Sequence, residues 1–522
     1  MPATDPTTIA AFKFGYFPDN QGVVPVGGLV NTGAGTTCNL LAKNWNGAAT
    51  PNTQVVFGAG PHYTCPGVGH SGGRHLAFNN LAGRGVCNNY KDVAGVTVKG
   101  NDHSAALVIR RVGNSANGGT TPDECLYSCD NAAVNNSLFC FGIDGASGCF
   151  AFWDHAGVKQ TSTIPATANT QAVVIKVSGT AGATTFRVLV SGHPVWTVTT
   201  ATGHSDAGSQ IMRLGNTGGL RAGVSGCARV AMLATYFASS AITDQQQQDV
   251  MDWLVANFAI QTRCDGVIIL DGDSYATGEN SLAADTIAMG LAAALPNHRI
   301  IALGMGGSLV SEAAGRISRA LNPALRSGIA AGAPWMVVEL LGMNHVWNST
   351  ETTPAATVIS QMQALARKIS GTGAKVATMT VPPCYVFTGG GWTIGNQFVT
   401  QEPKRQAINA GLRSMRDTWN VLLDLETIPD FKPPPAEADY KQWLLENQMW
   451  RQYNRGSNLP TSYAPFGTHA GPGDLVTDGI HLGIGQVAVG RLLAPKCEEA
   501  LGAAVRPRRG RFPANRLGQP AA

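Results

Sequence analysis

From Cys264 onward, five apolar runs alternate with helical segments, and no other feature of the chain limits its fold as much. The runs are GVIIL (266–270), RIIAL (299–303), WMVVELL (335–341), AKVATMTV (374–381) and NVLLDL (420–425). Parallel strands are covered on both faces because each crossover lays a helix on the sheet, so they read as continuous apolar runs rather than alternating ones. The intervening segments NSLAADTIAMGLAAAL, SEAAGRISRALNPAL, ATVISQMQALARKI and PKRQAINAGLRSMRDTW are the helices such crossovers need. The order predicts an α/β doubly wound, parallel five-stranded sheet over 263–505. A Pro- and aromatic-rich insertion at 430–475 interrupts it, and an insert of that length beside a sheet edge shapes a cleft or lid.

Before residue 262 the pattern differs. Short runs such as SAALVIRRV, SLFCFGI, CFAFWDH, QAVVIKVSG and TTFRVLVSGHPVWTVTT lie between Gly, Asn, Ser and Thr, and several alternate apolar with polar residues. That is the period of half-buried strands, and it predicts an antiparallel β-sandwich over 1–262. The section closes on a strand through Met232 and Tyr236, then Thr243 as a helix N-cap with Gln246 as its capping-box partner. The helix that follows aligns Val250, Trp253, Leu254 and Phe258 on one face. A last strand followed by a capped helix resembles the end of concanavalin A-like (laminin-G-like) jelly-roll domains, loosely over residues 30 to 260. The resemblance implies either a carbohydrate-binding module or a structural one.

A chain of 522 residues is long for one core and accommodates two such domains. Charged residues are only 13%, against roughly 25% in ordinary domains, and glycine is abundant. This leans toward an extracellular or virion-associated protein. The net charge of +4 gives no reason to expect a nucleic-acid partner. No apolar stretch suits a membrane span, and MPATDPTTIAAFKF has no signal-peptide pattern. The tail 506–522, with Arg506, Arg508, Arg509, Arg511 and Arg516, reads as a basic, disordered end. Eight of eleven cysteines lie in the first half: Cys38, Cys65, Cys87, Cys125, Cys129, Cys140, Cys149 and Cys227. Their crowding suits a disulfide framework, which the missing signal peptide opposes. Cys125 and Cys129 have a zinc-like spacing but no partner pair, so no metal and no other cofactor is expected.

Ligands of open parallel sheets bind beyond the carboxyl ends of the strands. After the first run comes Asp271-Gly272-Asp273-Ser274, after the second Gly304-Met305-Gly306-Gly307-Ser308, and after the third Gly342-Met343-Asn344-His345. The last long loop ends in Asp478-Gly479-Ile480-His481. A serine hydroxyl is a weak nucleophile until a base takes its proton. His481 is placed to be that base, and Asp478, three residues earlier, to hold the imidazole in the right tautomer. The Ser274 N–H, the Gly307 N–H and the Asn344 amide are candidate oxyanion donors. Asp271 and Asp273 are expected to hydrogen-bond the serine loop, His298 to sit on a connecting turn, and His469 to be an exposed loop residue. GMGGS is not a dinucleotide fingerprint and no P-loop occurs, which argues against a nucleotide ligand.

Together, GDS, the glycine of GMGGS, the Asn of GMNH, and DGIH resemble the four ordered blocks of the SGNH/GDSL hydrolases over residues 264 to 502. The resemblance implies a Ser274–His481–Asp478 triad, with Ser274, Gly307 and Asn344 as the oxyanion hole. One position departs: His345 stands where the family usually has Asp. The implied activity is hydrolysis of small acyl esters, with O-acetyl groups on a polysaccharide expected from the domain pairing and lipid or aryl esters as the alternative. A second class of reading is a glycan-binding surface or virion protein, such as a phage tail fibre or head spike, with a slow or vestigial esterase domain. The oligomeric state is not legible.

Overall fold

The computed structural model describes side chains over most of 102–450 and 480–502, and strands within 12–89 by backbone alone. Residues 1–11, 90–101, 114–122, 201–209, 215–225, 279–285, 385–394, 454–474, 477–479 and 503–522, with several shorter loops, lie outside the described residues.

The first half forms two sheets, antiparallel except where Gly226–Cys227 runs parallel to Glu124–Asn131. One has the order Trp196–Thr200, Ala183–Val190, Gln171–Thr180, His103–Arg111, Val230–Ala238, His75–Phe78, Val55–Gly58, with Phe12–Tyr16 also pairing Val230–Ala238. The other runs Lys159–Pro165, Cys149–Trp153, Asn136–Ile143, Glu124–Asn131, Gln210–Leu214, Arg84–Asn89, Asn39–Asn44, Gly28–Val30, with Gly226–Cys227 beside Glu124–Asn131. Period-two alternation explains how one strand serves two cores. Ala105, Leu107 and Ile109 face the second sheet, where they meet Phe139, Phe141, Phe150 and Phe152. Ala106 and Val108 face the opposite way, onto the helix Asp244–Asn257. That helix is capped as its sequence predicts: the Thr243 side chain accepts from the Gln246 N–H, and the Gln246 side chain accepts from the Thr243 N–H. Val250, Leu254 and Phe258 are buried against the sheet. Cys140 and Cys149 are buried free thiols, which leaves these two out of any disulfide framework, and burial pushes the Cys149 thiol up to about 11. The side chains of Cys38, Cys65, Cys87, Cys129 and Cys227 lie outside the described residues.

The second half is a five-stranded parallel sheet in the order His298–Ala302, Gly266–Gly272, Trp335–Leu340, Lys375–Met379, Val421–Leu423. All five predicted runs are strands. Numbered along the chain the order is 2-1-3-4-5, so the winding reverses between the first and third strands, where such sheets bind ligands. The helices Ile287–Ala294 and Ala355–Ser370 fall within or on their predicted spans. The second predicted helix is shorter: it ends at Arg316, and Asn322-Pro323 opens a separate 3-10 turn to Arg326. The fourth, Gly395–Ser414, starts eight residues earlier than its sequence suggested and runs through Pro403.

The insertion is seated by buried polar bonds. The Tyr440 hydroxyl donates to the Cys384 carbonyl (3.2 Å), and Trp450 Nε1 donates to the Pro383 carbonyl (3.2 Å). Its helix Glu437–Glu446 therefore rests on the loop beyond the fourth strand, on the same rim as the predicted site. The two halves also touch directly. The sandwich loop 166–170 runs along the edge strand His298–Ala302: Ala168 N–H donates to Ile300 O (2.8 Å), and Ile300 N–H donates to Asn169 Oδ1 (2.9 Å). Arg319 donates to the carbonyls of Gly145 (2.6 Å) and Ala146 (3.0 Å). Arg111, paired with Glu124 at 3.0 Å in full burial, reaches the Ala302 carbonyl (3.2 Å).

Candidate active site

The first parallel strand ends in a turn only glycine can make. Gly272 has φ +129°, and a Cβ there would lie 2.1 Å from the Leu340 carbonyl oxygen of the neighbouring strand. The chain bends at once into the helix Ser274–Thr277. Asp273 caps that turn, its Oδ1 accepting from the Tyr275 N–H (3.0 Å) as the sequence predicts for a loop-bonding aspartate. The N–H groups of Ala276 and Thr277 go to the Asp273 carbonyl (3.1 and 3.2 Å). Among the described residues, the Ser274 N–H is thus the donor of this turn left for a ligand.

Ser274 is 4% exposed, and its Oγ lies 2.8 Å from His481 Nε2. A second bond fixes the approach of that histidine: the Tyr275 hydroxyl donates to the carbonyl of Ile480 (2.7 Å), the residue before it. The Tyr275 and His481 rings stand 5.8 Å apart at 41°. One turn of chain thus supplies both the hydroxyl and the tether for its partner, 207 residues away. Asp478, the predicted orienting acid, lies outside the described residues, as does His469.

The glycine-rich loop after the second strand packs on the serine turn. A Cβ at Gly304 would meet Ala276 Cβ at 2.4 Å and the Asp273 carbonyl at 2.9 Å. Gly307 is exposed, with φ +79° and nothing near its missing Cβ, while Gly306 is buried. Asn344 is 4% exposed. Trp347 Nε1 meets its Oδ1 at 2.6 Å, and because indole N–H only donates, this fixes which amide atom is oxygen. Nδ2 then donates one proton to the Ser308 carbonyl (2.9 Å) and keeps a second. The amide is oriented from two sides before any substrate arrives. Sequence reasoning missed Trp347; its spacing of three from Asn344 in a helix was the available signal.

His345 does a structural job. Its Nε2 accepts the Val310 N–H (3.2 Å), tying the loop after the third strand to the helix after the second. Its Nδ1 stands 3.6 Å from Glu351. Burial lowers its pKa, partly offset by Glu351, which keeps the ring neutral and able to accept.

A buried charge cluster lies beneath the turn. Asp271 and Glu339 are register partners on adjacent parallel strands, so both carboxyls share one face of the sheet. Arg316 donates to the Gly272 carbonyl (2.7 Å) and stands 3.9 Å from Asp271. Burial drives the Glu339 pKa well above the usual range, with Asp271 adding to the shift and Arg316 opposing it. Burial also raises Asp271, against Arg316 and Arg319. Asp271 therefore supports the turn from below, accepting from the Gly272 backbone as expected of a loop-bonding aspartate and standing beside Arg316. His298 departs from expectation: it opens the edge strand, 5% exposed, because the strand begins one residue before its apolar run and pairs with Gly266.

No family model matches the chain, and no curated protein is similar to it. Solved structures are similar at a low level. Trypanosoma rangeli sialidase gives a TM-score of 0.32 at 10% identity, over 48% of this chain and 34% of that one. The botulinum neurotoxin type G receptor binding domain gives 0.28 at 9%, over 47% and 51%. Domain 4 of AbnA, a GH43 extracellular arabinanase from Geobacillus stearothermophilus solved with arabinotriose, gives 0.30 at 12%, over 46% and 98%. The chain thus spans about a third of the sialidase's length and half of the receptor binding domain's. Likenesses at this level decide neither fold nor activity. Among the described residues, no helix is long and apolar enough to cross a membrane.

Proposed function

We propose that this chain is a serine esterase of the SGNH/GDSL type. One observation carries the reading: Ser274 Oγ sits 2.8 Å from His481 Nε2, just past the point where the winding of the sheet reverses. His481 takes the hydroxyl proton as Oγ attacks the acyl carbon, and Asp478 holds the imidazolium that forms. The tetrahedral oxyanion is stabilised by the Ser274 N–H, the Gly307 N–H and the remaining Asn344 Nδ2 proton. His481 returns its proton to the leaving alcohol, and water then cleaves the acyl-enzyme with the same base. In this reading the N-terminal sheets are a concanavalin A-like jelly-roll that holds a polysaccharide, and the ester is an O-acetyl group on it.

The test is hydrolysis of p-nitrophenyl acetate by the wild type and Ser274→Ala. The variant should be inactive and the wild type active. Two equally inert proteins that still bind a glycan would favour the binding-protein reading, and activity that survives in Ser274→Ala would move the site elsewhere. Acetate release from acetylated glycans, compared with turnover of lipid esters, then decides the substrate.

A further inference from the structure

A second polar site lies at the other end of the parallel sheet. A cleft of about 110 Å³ opens between the sandwich and the amino end of the edge strand, with Arg299, His193 and His298 in its walls. Arg299 is in register with Val267, so it stands seven residues, roughly 20 Å of strand, before Ser274. Arg299 is 7% exposed. Its Nη1 donates to the carbonyls of Leu325 (3.0 Å) and Ser327 (2.9 Å), and its Nη2 meets His193 Nε2 at 3.4 Å. The Nε–H and one Nη2 proton remain.

No carboxylate pairs with Arg299 among the described residues, and burial lowers its pKa. Asp265, which follows the cleft residue Cys264, is matched by Arg263 at 2.5 Å. Buried charges are ordinarily paired, because an unpaired one keeps its desolvation cost. The His193 nitrogen that faces a guanidinium must be the accepting one, which puts the ring proton on Nδ1. That Nδ1 is buried without a partner, as is Nε2 of His298. The polar walls are rich in donors as well. Thr170 accepts from Arg110 and Ser191 accepts from the Ala172 N–H, so each keeps its O–H. Asn169 spends Oδ1 on Ile300 and keeps its amide protons.

We propose that this cleft binds a carboxylate carried on a hydroxylated molecule, with the carboxylate on the remaining Nε–H and Nη2–H of Arg299. One uncompensated positive charge matches a monoanion, whereas a phosphate dianion would leave excess buried negative charge. The spare hydroxyl and amide donors suit the hydroxyls of such a molecule. The site is independent of Ser274 and stands or falls without the esterase reading.

The test is isothermal titration of the whole protein with glucuronate at low chloride, with glucose as neutral control and inorganic phosphate as dianion control. Glucuronate should bind with a dissociation constant of about 1 mM, and about tenfold more tightly than either control. Thr262→Glu, on the exposed rim of the cleft, places a carboxylate of the protein's own there. It should weaken glucuronate about tenfold and leave hydrolysis at Ser274 unchanged. Arg299→Gln should do the same if it folds, and Thr262→Glu decides the matter if it does not. No binding of glucuronate, equal binding of glucose, tighter binding of phosphate, or a Thr262→Glu protein that binds like the wild type would each overturn the proposal.

Discussion

Gly272→Ala tests whether the strand-to-helix turn holds Ser274, the proposed nucleophile, in place. Two penalties fall on one methyl group. The backbone sits at φ +129°, a region L-residues avoid, which costs about 1–3 kcal/mol. The added Cβ would also lie 2.1 Å from Leu340 O, 2.7 Å from Leu340 C and 2.8 Å from Leu340 N, all backbone of the neighbouring strand. A side chain could rotate away, but two paired strands must separate, for about a further 1–3 kcal/mol. The sum is about 4 kcal/mol in stability. A displacement of the turn by about 1 Å carries Ser274 away from His481 and lowers kcat about a hundredfold. Gly307→Ala is the control for stability: its φ is +79°, yet nothing lies within 4 Å of the new Cβ, so it bears the conformational cost alone, about 1 kcal/mol. Urea unfolding of both variants, with p-nitrophenyl acetate kinetics for Gly272→Ala at a temperature where it stays folded, separates the effects. If Gly272→Ala unfolds at the same urea concentration as Gly307→Ala and keeps wild-type kcat, the close packing against Leu340 does not position the nucleophile.

Three further outcomes are expected. Asn344→Ala should lower kcat on p-nitrophenyl acetate by about 10²–10³ with KM little changed, because the lost amide acts on the oxyanion and not the bound ester; an equal rise in KM instead would assign Asn344 to ground-state binding. Tyr275→Phe removes the hydroxyl that donates to Ile480 and keeps the ring, so about 1 kcal/mol of stability and a several-fold share of kcat should go together; unchanged kcat would mean that His481 is held by other contacts. Glu339→Gln bears on pH. Because burial raises the folded pKa of Glu339 above its ordinary 4.5, the wild type pays nothing below that value, where both states are protonated. Its stability then falls as pH rises from 4.5 toward the folded pKa, since the unfolded chain ionises first. Thermal midpoints of the two proteins should therefore diverge in favour of Glu339→Gln between pH 4.5 and neutrality; a constant gap would mean Glu339 is ionised when folded.

The parallel sheet was legible because strands buried on both faces leave uninterrupted apolar runs, and the capped helix Asp244–Asn257 because Thr243 and Gln246 satisfy each other within one turn. Ser274 and His481 were legible as chemistry at the ends of elements, and the structure brings them into contact. What stayed hidden depends on register and on side chains far apart in the chain. No local period announces that Asp271 lies beside Glu339, or that Arg316 reaches back to Gly272. His345 read as an anomaly until its acceptor role toward Val310 was visible, and His298 read as a turn because a charged or polar residue at a strand's first position looks like a loop.

The loop 166–170 laid along His298–Ala302 has a consequence for any attempt to shorten this protein. That strand is the outermost of the parallel sheet, with one flank turned away from the other four. In the whole chain, Ala168 and Asn169 occupy part of that flank. A fragment holding only the parallel sheet would present the same backbone groups bare, and an uncovered flank of a sheet is a template for a second copy of itself. The sandwich is therefore a guard against self-association as well as a neighbour of the site. A trimmed chain that keeps Ser274 and His481 intact should still be lost to precipitation unless residues 166–170 are kept or that strand is redesigned with charge.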